Sequence, residues 1–294
     1  MNVAFVGVGA MGLPMARRVL ARHPVTVFDP DQGRTGELVA EGARSAASPA
    51  DAVRGADAVV VMVATPAQLD AALFGPDGVH EGLAPGTTVV IMSSVGVESV
   101  VTAARRLEAL DVRVVDAPVT GGAVRAVSGE LTVLAGAAPE VLAPVLPLLE
   151  LFSARIARCG ERVGDGQAVK LVNQLLCSVH LAAAGEALHF ARALGLDPAT
   201  VLATIETGAA ASFMLSDRGP RMLGETAPPV LSAIDIFVKD SSLVLEAARE
   251  AGAPTPLTEQ AAGLFSRAAR QGLGRIDDSG VIAMFQQDQK EPQR

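Results

Sequence analysis

Asn2-Val3-Ala4-Phe5-Val6-Gly7-Val8-Gly9-Ala10-Met11-Gly12-Leu13-Pro14-Met15-Ala16 stands at the head of the chain, and its reading decides the fold. Asn2 to Val8 is an apolar run of strand length, and Leu13 to Ala21 follows a helical pattern. Between them lies Gly-x-Gly-x-x-Gly, in the strand–turn–helix context that gives this pattern its meaning. Gly7 permits a tight turn, Gly9 leaves the backbone bare for a pyrophosphate, and Gly12 lets the helix pack close on the strand. The N–H groups at the helix start are donors for phosphate. Glycines between a strand and a helix also arise for packing alone, so the context carries the reading. Gly7, Gly9, Ala10, Met11 and Gly12 are the expected cofactor-binding loop.

Working outward, Val25 to Phe28 is a second strand with Asp29 at its end. A carboxylate there accepts hydrogen bonds from ribose hydroxyls and repels a 2′-phosphate, which favours NAD over NADP. Asp31 is an alternative acid, Arg34 is a counter-charge that keeps NADP open, and Asp29-Pro30-Asp31 is also good turn chemistry. Asp57–Val63, Thr87–Met92, Val112–Val115 and Gly129–Gly136 read as further strands, alternating with Ala-rich helical segments, as in βαβ units. Ligands of such sheets bind at the carboxyl ends of the strands, where Gly7, Asp29, Thr65, Ser94 and Thr120 all fall. Thr120-Gly121-Gly122 offers a hydroxyl and two unobstructed amides to a small anion, a substrate carboxylate being the obvious guest. A plain glycine turn is the other reading of that stretch. Asp116 reads as structural.

Gly164-Asp165-Gly166-Gln167-Ala168-Val169-Lys170-Leu171-Val172-Asn173-Gln174 opens a long apolar helix at about 166–194, with Asp165 as its expected N-cap. Lys170, Asn173 and Gln174 share one helical face. A lysine amid Val169, Leu171 and Val172 either snorkels to solvent or has its proton affinity lowered, the second being how lysines become proton-transfer groups. Beyond it, Asp197–Thr207, Ser212–Leu223, Ile236–Ala251 and Leu257–Gln271 read as helices. Lys239 either pairs with Asp235 or Glu246 or reaches the cofactor. Gln286–Arg294 is a polar tail, expected to fray.

The 294 residues therefore suggest two domains, 1–163 and 164–294. The expected class is α/β: an N-terminal Rossmann-type doubly wound sheet followed by an all-α C-terminal domain, joined by a long interdomain helix. Half the residues are hydrophobic, and Trp and Tyr are absent, so packing must be aliphatic. A net charge of −8 with no basic run argues against nucleic acid, and no apolar run is expected to reach membrane-span length. The two cysteines, Cys159 and Cys177, fit neither a disulfide framework nor a zinc site, so the expected setting is a reducing cytoplasm with no metal. Only three residues are lysine, Lys170, Lys239 and Lys290, against a background of arginine.

With these residues assembled, the chain resembles the β-hydroxyacid dehydrogenase family, whose best-known member is 3-hydroxyisobutyrate dehydrogenase. The resemblance rests on Gly-Val-Gly-Ala-Met-Gly-Leu-Pro-Met-Ala at 7–16, Asp-Ala-Pro-Val-Thr-Gly-Gly at 116–122, Gly-x-Gly-x-x-x-Lys-x-x-Asn at 164–173 and Lys-Asp at 239–240. It implies Lys170 as the catalytic residue, Thr120, Gly121, Gly122 and Asn173 as substrate-binding, and Ser94 and Lys239 against the cofactor. Gln174 stands where many members have a second substrate-binding asparagine, Thr120 where serine is usual, and Ser94 where threonine is usual. The implied reaction interconverts a short-chain hydroxy acid and its carbonyl acid, with hydride passing to NAD(P) and lysine as general acid and base. The helical domain is implied to be like that of 6-phosphogluconate dehydrogenase and to mediate a homodimer or homotetramer. Ser232–Asp240 and Gly274–Ser279 look like a subgroup acting on four-carbon sugar acids such as threonate. Two rivals stand beside this: an imine reductase on a similar scaffold, which generally lacks the lysine, and a non-catalytic dinucleotide-binding sensor.

Overall fold

The computed structural model describes residues 1–224 and 226–287 and divides into two compact units, Met1–Lys170 and Leu171–Arg294. In the first unit, β1 (Val3–Val6), β2 (Val25–Phe28), β3 (Arg44–Ser45), β4 (Ala58–Val61), β5 (Thr88–Ile91) and β6 (Arg113–Asp116) form a parallel sheet. Their order is β3-β2-β1-β4-β5-β6, so the winding reverses at β1. Alternate residues feed two cores. Val3, Phe5, Val60 and Val90 join one buried cluster, while Ala4, Val6, Val59, Val61, Val89 and Ile91 join the other. A strand buried on both faces has to be apolar throughout, which is why these segments read as unbroken Val-rich runs rather than alternating ones.

The parallel pattern stops after β6. β7 (Val119–Thr120) and β8 (Leu131–Gly136) pair antiparallel, β8 is antiparallel to β6, and β9 (Ser153–Gly160) lies parallel to β8. β9 is not legible as a strand in the sequence. Among the described residues it pairs only with β8, its pattern is mixed, and Arg155 and Arg158 interrupt it, as charged residues do on sheet edges.

The second unit is built of helices Pro198–Ile205, Phe213–Leu223, Ile234–Glu250, Pro256–Ala268 and Ala283–Gln287, with most of the long helix. Its core gathers Leu181, Leu188, Phe237, Phe265 and Val281. The helix expected to run to Gln271 leaves the α form at Ala268 and ends in a wider turn, Ala269–Leu273, where Gly272 has φ +84°. The last helix takes in Gln286 and Gln287 of the polar tail; the remainder, with Lys290, lies outside the described residues.

The long helix spans Asp165–Ala193. Asp165 is not its N-cap: it is the first helical residue, and its carboxylate turns back to accept Arg162 N at 3.0 Å. By length and composition this helix could cross a membrane, a test that core helices also pass. Leu181, Ala184 and Leu188 are buried in the second unit's core, whereas Val169, Val172 and Leu176 are 41%, 63% and 48% exposed. That exposed trio sits at helical spacing and forms an apolar stripe.

Candidate active site

The registers of the parallel sheet put Phe28, Val6, Val61, Ile91 and Asp116 in one row at the carboxyl ends of their strands. The loops that leave this row carry the residues singled out above. After β1, Gly7 has φ +95°, and a Cβ there would lie 2.2 Å from Met62 O. A Cβ on Gly12 would lie 2.2 Å from Gly7 O, so the third glycine lets the helix Gly12–Leu20 close onto the turn. Around Gly9 the nearest atom to such a Cβ is Arg34 Nη1 at 3.4 Å, the end of a flexible side chain. A tight turn, a bare middle glycine and a following helix start fit a dinucleotide pyrophosphate.

Asp29 is buried, and its carboxylate is held by the loops themselves. Oδ2 accepts Val8 N at 2.9 Å and Oδ1 accepts Asp31 N at 3.0 Å. Arg34 lies 3.2 Å from Asp31 and 4.0 Å from Asp29. The acid expected to face the ribose thus also fastens the glycine loop, and a guanidinium stands beside it over Gly9.

Thr65 caps the helix Pro66–Phe74, its Oγ1 accepting Gln68 N at 3.1 Å. Ser93 is fully buried and accepts Val63 N at 2.8 Å, while the adjacent Ser94 is only partly buried. Thr120 ends β7, and Gly121 (φ +129°) and Gly122 (φ +74°) lead into a short helix, Gly122–Ser128. Among the described residues nothing lies within 4 Å of a Cβ placed on Gly122, so the space on that side of the backbone is open.

Lys170 is 8% exposed, one turn beyond Gln167. Gln167 is 1% exposed and makes four side-chain bonds, with Oε1 accepting Val95 N and Gly96 N at 3.1 Å each, and Nε2 donating to Ser93 O at 2.9 Å and Asp116 Oδ1 at 3.0 Å. Asp116 Oδ2 accepts Gly164 N at 3.0 Å and Gln167 N at 2.9 Å. Burial pushes the Asp116 carboxyl up to about 6, against the bonds from Gln167, Gly164 and Gly166 that favour its ionised form. The Cys159 thiol is raised too, first by burial and then by the charges of Asp116 and Asp165. Close approach at this junction needs Gly166, whose Cβ would lie 2.4 Å from Leu134 O.

In the second unit, Asn173 Nδ2 donates to Gln174 Oε1 at 2.8 Å and to Cys177 Sγ at 3.4 Å. Gln174 Nε2 donates to Asp240 Oδ2, and Asp240 Oδ1 lies 2.7 Å from Lys239 Nζ. Lys239 therefore makes an ion pair with its own neighbour. Gln174, named as substrate-binding from the sequence, has both ends of its amide in this chain of contacts. Segments 231–235 and 274–279 are laced together by Asp235 N to Gly274 O (2.9 Å), Ile234 N to Ile276 O (3.2 Å) and Asp278 N to Ser232 O (2.7 Å). Arg221 and Arg218 anchor them through Asp277 (2.6 Å) and Asp278 (3.1 Å), so the segments singled out together in the sequence are one structural unit at the start of the Lys239 helix.

Asp116 reads as structural in the sequence and is held in a structural network, but its partner Gln167 and the part played by Asp240 are not legible there. A glutamine inside an apolar run, one turn before the lysine, was the available signal. Among the described residues no group of three or more His, Cys, Asp or Glu is arranged to hold a metal ion.

Residues 2–160 match the model of the NAD binding domain of 6-phosphogluconate dehydrogenase, and residues 164–285 that of the NAD-binding domain of NADP-dependent 3-hydroxyisobutyrate dehydrogenase. L-threonate dehydrogenase of Haemophilus influenzae is 36% identical over 288 residues, covering 97% of this chain and 95% of that protein. The crystal structure of a 3-hydroxyisobutyrate dehydrogenase from Salmonella typhimurium superposes with a TM-score of 0.90 at 35% identity, covering 97% of this chain and 100% of the other. An imine reductase of Streptomyces aurantiacus shares the fold at a TM-score of 0.67 and 22% identity, over 97% and 99% of the two chains. The chain belongs to the β-hydroxyacid dehydrogenase family and is an NAD(P)-dependent oxidoreductase acting on the CH–OH group of a hydroxy acid.

Proposed function

We propose that the protein oxidises a four-carbon sugar acid of the threonate type at a hydroxyl-bearing carbon, with Lys170 as general base. The observation that carries this reading is a lysine 8% exposed on an apolar helix, with the amide of Asn173 one turn on. Substrate class is supported by the relative named L-threonate dehydrogenase, whose likeness spans 97% of this chain. The substrate carboxylate takes the Thr120 hydroxyl and the amides of Gly121 and Gly122. Lys170, neutral, removes the hydroxyl proton, and Asn173 orients the substrate with it. In the reverse direction the ammonium returns that proton to the forming hydroxyl. The nicotinamide, when bound, supplies the acceptor for hydride. Gly7, Gly9, Ala10, Met11 and Gly12 would hold the pyrophosphate of the dinucleotide, Asp29 its ribose, and Thr65, Ser94 and Lys239 further parts of it.

NAD is the preferred cofactor on the charge of Asp29 and Asp31, with NADP accepted through Arg34. A homodimer or homotetramer is proposed as the assembly, and the exposed stripe Val169, Val172 and Leu176 is in keeping with it. A cytoplasmic setting is proposed with that assembly.

The test is reduction of NAD, and separately NADP, by the pure protein offered L-threonate, D-threonate, erythronate, glycerate, 3-hydroxyisobutyrate and 3-hydroxypropionate. Turnover strongest on a threonate or erythronate supports the substrate class. Turnover confined to the branched or three-carbon acids moves the substrate and leaves the chemistry, and silence across the panel overturns the proposal.

A further inference from the structure

Asp165, the first residue of the helix that carries Lys170, turns its carboxylate back to accept Arg162 N. The amide just before the helix, Gly164 N, and one in its first turn, Gln167 N, are received by Asp116, 48 and 51 residues away. Gln167 passes the connection on. Its amide group joins Asp116 Oδ1 to Ser93 O and to the amides of Val95 and Gly96. Two fully buried side chains therefore fasten together the loop that holds Ser94, the end of β6 that leads to Thr120, and the first turn of the Lys170 helix.

We propose that Asp116 and Gln167 are positioning residues of the reaction, fixing the Lys170 helix start against the Ser94 loop, and that they do so only while Asp116 is ionised. The proposal rests on Lys170 as the proton-transfer group. It follows from the polarity of the network. Gly164 N, Gln167 N and Gln167 Nε2 all donate into Asp116, so every contact there asks for an acceptor. A protonated carboxyl, or an asparagine, turns a donor toward donors. Gln167 cannot flip to compensate, because its Oε1 already takes two backbone N–H groups. Burial works the other way and lifts Asp116 to about 6, so the network switches within an accessible pH range. The titratable group placed toward it from β9 is the Cys159 thiol, which is raised and stays neutral through that range.

This separates positioning from stability. A carboxyl whose folded pKa is raised favours the folded state when protonated, so stability rises as pH falls through 6. Positioning is lost over the same interval. A purely structural role would move both together.

The experiment measures kcat for reduction of the carbonyl acid from pH 5 to 8, in wild type, Asp116→Asn and Gln167→Met. In this direction Lys170 acts as the ammonium, which acid only reinforces, so Lys170 supplies no acid limb. Wild-type kcat is expected to fall below about pH 6. Asp116→Asn should lower kcat about tenfold or more at pH 7.5 with cofactor KM little changed, and should lack the limb. Gln167→Met removes a bond that holds Asp116 down, so its limb should shift to higher pH. A wild-type kcat in Asp116→Asn, or a limb that neither variant moves, overturns the proposal. Should Asp116→Asn not fold, the wild-type limb and its displacement in Gln167→Met decide.

A second readout needs no substrate. With only three lysines, biosynthetic 13Cε-lysine labelling leaves few signals, and that of Lys170 is assigned by its loss in Lys170→Arg. It should inflect near pH 6 in wild type, at higher pH in Gln167→Met, and not at all in Asp116→Asn. A flat Lys170 signal overturns the coupling even if every acid in the panel is inert. If Lys170→Ala keeps its turnover while the limb and its shift persist, the general-base reading falls and the positioning pair stands.

Discussion

Two polar networks flank Lys170 in sequence, and they are built on opposite plans. In the first unit, the side chains of Asp116 and Gln167 bind backbone groups, apart from the one side-chain bond between them. In the second unit, Asn173, Gln174, Asp240 and Lys239 are joined to one another through their side chains. Backbone partners are fixed by the sheet and the helix, so the first network defines where segments lie. Side-chain partners are free to rearrange within their rotamers, so the second adjusts the groups it carries without moving a helix. The contrast assigns the first to geometry and the second to orientation and charge.

The largest effect tests what stands between the two networks. Lys170→Ala should lose about 10²–10⁴-fold in turnover, the usual worth of a positioned acid–base group, with cofactor affinity by calorimetry unchanged. Near-normal turnover would leave both networks without a proton-transfer group to serve.

Next comes the pH dependence of stability. Asp116 rises from 3.8 to about 6 on folding. A shift of that size corresponds to about 3 kcal/mol, present below pH ~4 and lost as pH rises through about 6. Denaturant midpoints should therefore fall over that interval in wild type, while Asp116→Asn lacks this component. Parallel slopes in the two proteins would mean that Asp116 stays ionised.

In the side-chain network, Gln174→Ala withdraws the amide from buried Asp240 and should cost about 1–3 kcal/mol in unfolding free energy. Asp240→Asn should relieve part of that cost in the double variant, because the group left behind is then uncharged. A double-mutant cycle that closes additively would show that the two residues do not interact.

The smallest effect belongs to Arg34, exposed beside Asp29 and Asp31. Arg34→Ala should raise KM for NADP by about two- to fivefold and leave KM for NAD nearly unchanged, in line with a solvent-exposed charge pair. Equal changes for both cofactors would assign the guanidinium to the shared pyrophosphate or adenine instead.

The strand–turn–helix at Asn2–Ala16, the Val-rich strands through β6 and the apolar helix carrying Lys170 were legible because each is written in neighbouring residues. Period, length and the glycine positions are local properties, and they led directly to the family and to a lysine in an apolar setting. β9 was hidden by its charged edge character, and the cap of the long helix was misassigned to Asp165 because the nearest acid is the natural candidate. Only the tertiary structure decided that Asp116 caps it, that Gln167 ties the cap to the Ser94 loop, and that Gln174 reaches Asp240 66 residues on. Hydrogen bonds across such separations depend on which strand ends share a row and which helix faces meet, and those relations leave no pattern in the order of the residues.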